Sequence, residues 1–187
     1  MRIIARIDIK NNFVIKGINL EGLRKVGDPY ELITKYYEQG INEIIIQDSV
    51  ASLYGRNNLF DFIKSITKEI FIPITLGGGI RSLSDIEKAL KSGADKVAIN
   101  SKALEDPNFI KQASNEFGSS TIVSSIEAKK ISDNLWEPYK FCGRERTNIN
   151  IVEWIKIIQE NDCGEILLTS IDHEGTKQGF DLEMINS

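Results

Sequence analysis

Two tetrads of one form recur along this chain: Ile7-Asp8-Ile9-Lys10 and Ile126-Glu127-Ala128-Lys129. They lie 119 positions apart (127 minus 8), and a second pair, Glu43-Ile44-Ile45-Ile46 and Glu165-Ile166-Leu167-Leu168, lies 122 apart (165 minus 43). Features recurring at nearly one offset point to a duplicated half. Each tetrad closes an apolar run, and each leads into a long segment with a hairpin-like stretch, "NNFVIKGINLEGLRKVGD" in one copy and "AKKISDNLWEPYKFCGRERTN" in the other.

Elsewhere short β-branched runs alternate with longer amphipathic ones. The pattern predicts strands over Ile3–Ile9, Glu43–Gln47, Phe71–Leu76, Lys96–Ile99, Thr121–Ile126 and Glu165–Thr169. Helices fall between them. Asp28-Pro29 opens one and Gly40 closes it, Asp106-Pro107 opens another that ends near Gly118, and Ser82 or Ser84 caps the helix carrying Ile86, Ala89 and Leu90. A further helix carries Val152, Ile155 and Ile158 on its apolar face and ends before Gly164. Such alternation makes a parallel sheet. With a duplicated four-strand half, the expected fold is an α/β barrel of the (βα)8 TIM class rather than an open doubly wound sheet. Six strand–helix units are legible, and the sequence stops in the sixth helix at "DLEMINS". Barrels of this type usually need roughly 200 residues or more. The reading is therefore one barrel domain over 1–187, C-terminally incomplete.

Composition narrows the function classes. The 187 residues carry a net charge of −4, with no basic stripe, which argues against a nucleic-acid partner. No run of 18 apolar residues suggests a membrane span, and "MRIIARIDIK" is too short and too charged for a signal peptide. Cys142 and Cys163 have no metal-ligand spacing and form no disulfide framework, so no metal is expected and a reducing cytoplasm is.

The chemistry-bearing residues gather at strand ends. Gly77-Gly78-Gly79 interrupts an apolar run just before a helix, where bare successive amides form a nest for an anion. A phosphate explains three glycines; a sterically tight turn is the alternative. Asn100-Ser101 ends the next strand and could complete that site. Glu174-Gly175 stands in a similar loop after the last strand, and Lys16 either serves an anion or lies along the surface. Asp48 is either an inward polar group or a cap. Asp8 and Glu127, at equivalent strand ends of the two halves, are the acid–base candidates, because burial and neighbours can tune a carboxylate for proton transfer. In a barrel they would stand on opposite rims of the catalytic face. At the other ends of the strands, Arg2, Glu43, Lys96 and Glu165 could close the floor as an ion-pair ring, either as a plain bottom layer or as a gate. His173, the one histidine, has no partner spacing for a triad.

The stretches "RIIARIDIK", "VIKGINLEGLRKVGDP", "TLGGGIRS", "GADKVAINSKALEDP", "EFGSS" and "GEILLTSIDHEGTKQGFD" together resemble the cyclase-subunit family of imidazole glycerol phosphate synthase along the whole chain. The resemblance implies a half-duplicated (βα)8 barrel and a lyase of histidine biosynthesis. Ammonia would come from a glutaminase subunit docked on the N-terminal face of the barrel. It would react with a bisphosphorylated aminoimidazole carboxamide ribonucleotide to give imidazole glycerol phosphate and an aminoimidazole carboxamide ribonucleotide, without metal or redox cofactor. By the same resemblance Asp8 and Glu127 fall on the acid–base pair. Gly79, Asn100 and Ser101 fall on one phosphate site, which the nest at Gly78 adjoins, Glu174 and Gly175 on part of the other, and Arg2, Glu43, Lys96 and Glu165 on the ammonia gate. Three features depart from the usual pattern: Glu127 replaces an aspartate, "AR" precedes Ile7, and the loop "QDSVASLYGRNNL" differs. They keep open a relative that delivers ammonia to amidinate a surface-glycan sugar. A non-catalytic truncated barrel that binds a glutaminase is the reading from another class.

Overall fold

The computed structural model describes residues 1–49 and 59–187; the variant part of the "QDSVASLYGRNNL" loop, 50–58, lies outside the described residues. The chain divides into two compact units, Met1–Ile15 with Arg24–Ala98, and Lys16–Leu23 with Ile99–Ser187.

β1 (Ile4–Lys10), in the first unit, pairs antiparallel with β2 (Phe13–Ile18), which turns into β3 (Glu21–Gly27), the tip of this hairpin, Lys16–Leu23, belonging to the second unit. On its other side β1 pairs in parallel with β4 (Glu43–Asp48), which pairs with β5 (Ile74–Gly77), and β5 with β6 (Lys96–Ile99). The crossovers carry α1 (Pro29–Glu38), α2 (Phe60–Ile66) and α3 (Leu83–Lys91). The two faces of this sheet differ sharply because side chains alternate along each strand. One phase holds Ile7, Ile9, Ile44, Ile46, Ile74, Leu76 and Val97, each at most 2% exposed, and the helices contribute Ile33, Ile63, Ile66, Ile86 and Ala89 to the same core. Each such Ile, Leu or Val side chain contributes roughly 1.5–3 kcal/mol on burial. The other phase is polar. It carries Arg6, Asp8, Glu43, Gln47, Thr75 and Lys96.

Local signals set the helix ends. Asp28 accepts from the amides of Tyr30 and Glu31 ahead of Pro29, and Ser82 forms a capping box with Asp85. Phe71 to Pro73 stay out of the sheet, contrary to the run expected from Phe71. Pro73 cannot donate to a ladder, and Phe71 is 76% exposed.

In the second unit β7 (Ile122–Ser132) pairs in parallel with β10 (Glu165–Ser170) and antiparallel with β8 (Leu135–Lys140), which pairs with β9 (Glu145–Arg146). Its helices are α4 (Ser101–Glu105), α5 (Asn108–Phe117), α6 (Ile151–Glu160) and α7 (Leu182–Asn186). Asp106 ends α4 rather than capping α5, and α6 buries Ile151, Trp154 and Ile158 while Val152 faces out.

The repeat is written into the pairing. Ile4 faces Glu43 and Asp8 faces Gln47 across β1 and β4; Val123 faces Glu165 and Glu127 faces Thr169 across β7 and β10. Every position in the second set is the first shifted by 119 or 122. The flanking bonds repeat too: the Ser49 amide donates to Ile9 O (3.0 Å) as Ile171 does to Ala128 O (2.8 Å), and Asn42 donates to Ile3 O (2.9 Å) as Gly164 does to Ile122 O (3.2 Å). No helix among the described residues is long and apolar enough to cross a membrane.

Candidate active site

Within the first unit, Asp8 lies on β1 two residues before its end, on the polar phase of the sheet, and it is 9% exposed. Two residues earlier on the same phase, Arg6 donates through Nε to Asp8 Oδ1 at 2.9 Å, with both side chains largely covered. A guanidinium fork this close is a charge-assisted partner that fixes the carboxylate's orientation. Across the ladder from Asp8 stands Gln47, 6% exposed, whose Oε1 has no hydrogen-bond partner among the described residues. A buried amide oxygen left without a donor costs about 1–3 kcal/mol. Sequence reasoning met Arg6 only as part of the departure before Ile7 and passed over Gln47. The signal was available for Gln47, a polar residue four positions after Glu43 in an otherwise apolar strand, hence on the same face.

The triple glycine now has a local cause at two of its positions. A Cβ on Gly77 would sit 2.1 Å from Gln47 Oε1, and one on Gly78 would sit 2.3 Å from the Asp48 carbonyl oxygen. Gly78 and Gly79 also adopt φ of 94° and 71°, a region that L side chains disfavour. Asp48 itself alternates with Gln47 and so follows the phase of Ile44 and Ile46, at the end of β4 and 7% exposed.

At the opposite end of the strands the structure brings three of the four floor residues together. Glu43, 2% exposed, accepts from Lys96 Nζ at 3.1 and 3.2 Å, from Arg2 Nη1 at 3.2 Å and from Thr75 Oγ1 at 3.0 Å. A buried carboxylate needs such partners. Glu165 belongs to the second unit, where it opens β10.

In the second unit Glu127 is 2% exposed, and Asn100 Nδ2 donates both to its Oε2 (3.2 Å) and to the Tyr139 carbonyl (3.1 Å). Asn100 thus spends its side chain on the carboxylate rather than on capping α4, and its own Oδ1 is a second buried amide oxygen without a donor among the described residues. Ser101 Oγ accepts from the Phe141 amide at 3.0 Å, holding a turn in which Phe141, Cys142 and Gly143 all have positive φ. The loop after β10 is stapled to the β2–β3 tip. Asn19 donates its amide to Glu174 O and its Nδ2 to the carbonyls of Ile171 and Asp172, Lys16 Nζ pairs with Glu174, and a Cβ on Gly175 would strike Gly17 O at 2.0 Å. Close backbone approach therefore accounts for Gly175, and Glu174 draws Lys16 toward that loop.

Two buried carboxylates in this unit serve architecture. Burial pushes Glu137 upward, but Arg146 and the amides of Asn148 and Thr147 outweigh it and hold the carboxyl below its ordinary value. Asp181 follows the same logic: burial opposes, while the Met184 amide, Ser170 and His173 win, and its pKa is lowered. Burial raises the Cys163 thiol, which makes it a poor nucleophile. Among the described residues no group of three or more His, Cys, Asp or Glu side chains is placed to hold a metal ion.

Comparison with known proteins places this geometry in context. The family described as "Histidine biosynthesis protein" matches residues 2–187. A protein of Legionella pneumophila named imidazole glycerol phosphate synthase subunit HisF is 52% identical over 185 residues, covering 99% of this chain and 87% of the relative. Proteins of the same name from Lactococcus lactis subsp. cremoris (49% over 187 residues, 100% of this chain and 72% of the relative) and Streptococcus mutans (44% over 186 residues, 100% and 74%) are also similar.

Proposed function

The chain belongs to the histidine biosynthesis protein family, whose fold is the (βα)8 barrel, and from that premise we propose that it is the ammonia-dependent cyclase subunit of imidazole glycerol phosphate synthase, a lyase. Ammonia and a bisphosphorylated aminoimidazole carboxamide ribonucleotide are the substrates; imidazole glycerol phosphate and the aminoimidazole carboxamide ribonucleotide are the products. The observation that carries the catalytic part is the pair of buried carboxylates at equivalent repeat positions, Asp8 and Glu127, to which Arg6 and Asn100 respectively donate. Carbon–nitrogen bond formation needs a proton removed from the attacking nitrogen and a proton delivered to the departing oxygen, which suits two positioned carboxyl groups.

The anionic ends of the substrate would rest on the amides of Gly78 and Gly79, with Asn100 and Ser101, and on the Gly175 loop with Lys16 beside Glu174. Asp48 supports the first of these from the end of β4. Ammonia would enter past Arg2, Glu43, Lys96 and Glu165, from a glutaminase docked at the N-terminal ends of the strands. The reaction described uses no cofactor, and its setting would be the cytoplasm. The purified chain, supplied with ammonium chloride and the ribonucleotide, should form both products in equal amounts by chromatography. Folded protein that consumes none of the ribonucleotide would reject the assignment.

A second reading is favoured by one observation. Asp8 is held by Arg6, and its counterpart is a glutamate, about one carbon–carbon bond (about 1.5 Å) longer than an aspartate. A site shaped this way would suit ammonia transfer to a glycan sugar, and turnover confined to such an acceptor would select it.

A further inference from the structure

On the polar face of the first unit two acceptors stand side by side. Asp8 and Gln47 are register partners on β1 and β4, and adjacent strands run about 4.8 Å apart. Gln47 Oε1 is fully buried with no donor among the described residues, and the chain has given up a side chain at Gly77 to seat it. Its neighbours cannot supply the missing hydrogen: Asp8 accepts from Arg6, Gly77 has no side chain, and Ala98, the next residue on that face, has no polar atom in its own. A hydrocarbon side chain of similar volume would fill the space without an orphaned acceptor. A retained orphan of this kind marks a place where a donor arrives from outside.

We propose that Gln47 is the residue that holds ammonia for attack, its Oε1 accepting one N–H while the molecule lies beside Asp8. The inference rests on the ammonia-dependent reading above and names the site of the nucleophile within it. Ammonia has three N–H donors and one lone pair. A nucleophile of this shape is oriented by acceptors on its hydrogens, leaving the lone pair directed at the electrophilic carbon. A spacing of one strand lets a single nitrogen reach both oxygens at about 2.9 Å. Gln47 neither gives nor takes a proton: as the new C–N bond forms, the nitrogen becomes cationic and its surplus proton passes to a carboxylate. The neutral amide oxygen then accepts from a charged donor, a stronger bond than before. Gln47 also lies on the same phase of the same strand as Glu43, four residues or about 13 Å further along, so the strand links the floor cluster to the proposed seat.

Gln47→Met removes the acceptor at nearly constant volume. Initial rates are measured with ammonium chloride varied at saturating ribonucleotide, and then with the ribonucleotide varied, alongside thermal melting of both proteins. The expected result is an apparent KM for ammonia raised about tenfold, a KM for the ribonucleotide within about twofold of the parent, and a melting temperature equal or higher because the orphan is gone. Gln47→Leu should behave alike, which guards against a fault peculiar to methionine. The proposal is overturned if the ammonia KM stays within about twofold, or if both KM values rise together with a fall in melting temperature, the signature of a structural role. If the parent itself shows no ammonia-dependent turnover, the cyclase reading fails and this assignment with it; a working parent with an unaltered variant rejects Gln47 alone.

Discussion

Removing Glu137 should destabilise the second unit far more than removing the arginine it pairs with. Glu137 is 4% exposed on β8, and its two oxygens divide four donors. Oε2 takes Arg146 Nε at 3.1 Å and Nη2 at 2.8 Å; Oε1 takes the amides of Thr147 at 2.8 Å and Asn148 at 2.5 Å. In Glu137→Ala the guanidinium, 56% exposed, returns to water at little cost, but the two amides lose a charged acceptor. At about 1.5 kcal/mol for each bond to a charged group, the loss comes to about 3 kcal/mol. Arg146→Ala leaves both amide bonds intact and removes an ion pair whose basic end is already in solvent, so it should cost only a minor part of that. Urea titration followed by tryptophan fluorescence reports from this unit, since both tryptophans, Trp136 and Trp154, belong to it and each is 1% exposed. With a slope of roughly 1–3 kcal/mol per molar urea, Glu137→Ala should lower the midpoint by roughly 1–3 M. An Arg146→Ala midpoint as low as that of Glu137→Ala would refute the reasoning, because it would put the stabilisation in the ion pair rather than in the amides.

Three further outcomes can be checked. Glu137 and Asp181 both have lowered folded-state pKa values, so the unfolded chain binds more protons as the medium acidifies; their contribution is complete above about pH 4 and is lost as pH falls through the lowered values. The urea midpoint by tryptophan fluorescence should drop below about pH 4, less so in Glu137→Gln, and a flat midpoint down to about pH 3 would contradict this. Gly77→Ala should be relieved by shortening Gln47 to Ala, with a coupling of about 1 kcal/mol in a double-mutant cycle, whereas Gly78→Ala, which meets backbone at positive φ, should not. Lys96→Ala should lower glutamine-driven turnover in the presence of a glutaminase more than ammonia-driven turnover; equal losses would remove the floor cluster from ammonia passage.

The fold was legible because its signals are local or periodic. The offset between the tetrads, the Asp28-Pro29 and Ser82 caps and the apolar strand phase all survive into register and burial. The equivalence of Asp8 and Glu127 was legible for the same reason: a repeat transfers a position from one half to the other. What escaped depends on atoms distant in sequence. Lys16 and Glu174 lie 158 residues apart, and Asn100 reaches Glu127 and Tyr139 only once a helix start and a hairpin have been placed. The role of Glu137 was not legible because its donors come from β9 and the turn beyond it. The glycine run was read for its free amides, whereas two of its three members also answer to Gln47 and Asp48 packing against them. Gln47 was legible as a polar residue on the face of Glu43, but its missing donor leaves no trace in a sequence.

The proposed function turns on whether Asp8 moves protons in an ammonia-consuming cyclisation. Steady-state kcat with saturating ammonium and ribonucleotide, compared between the parent and Asp8→Asn, tests that most directly. Asparagine keeps the shape and can still meet Arg6 through its oxygen, but it cannot take up a proton. A loss of about 100-fold or more is the predicted result, in the range for a positioned acid–base group; a loss of about tenfold or less, in a variant that melts like the parent, would contradict it.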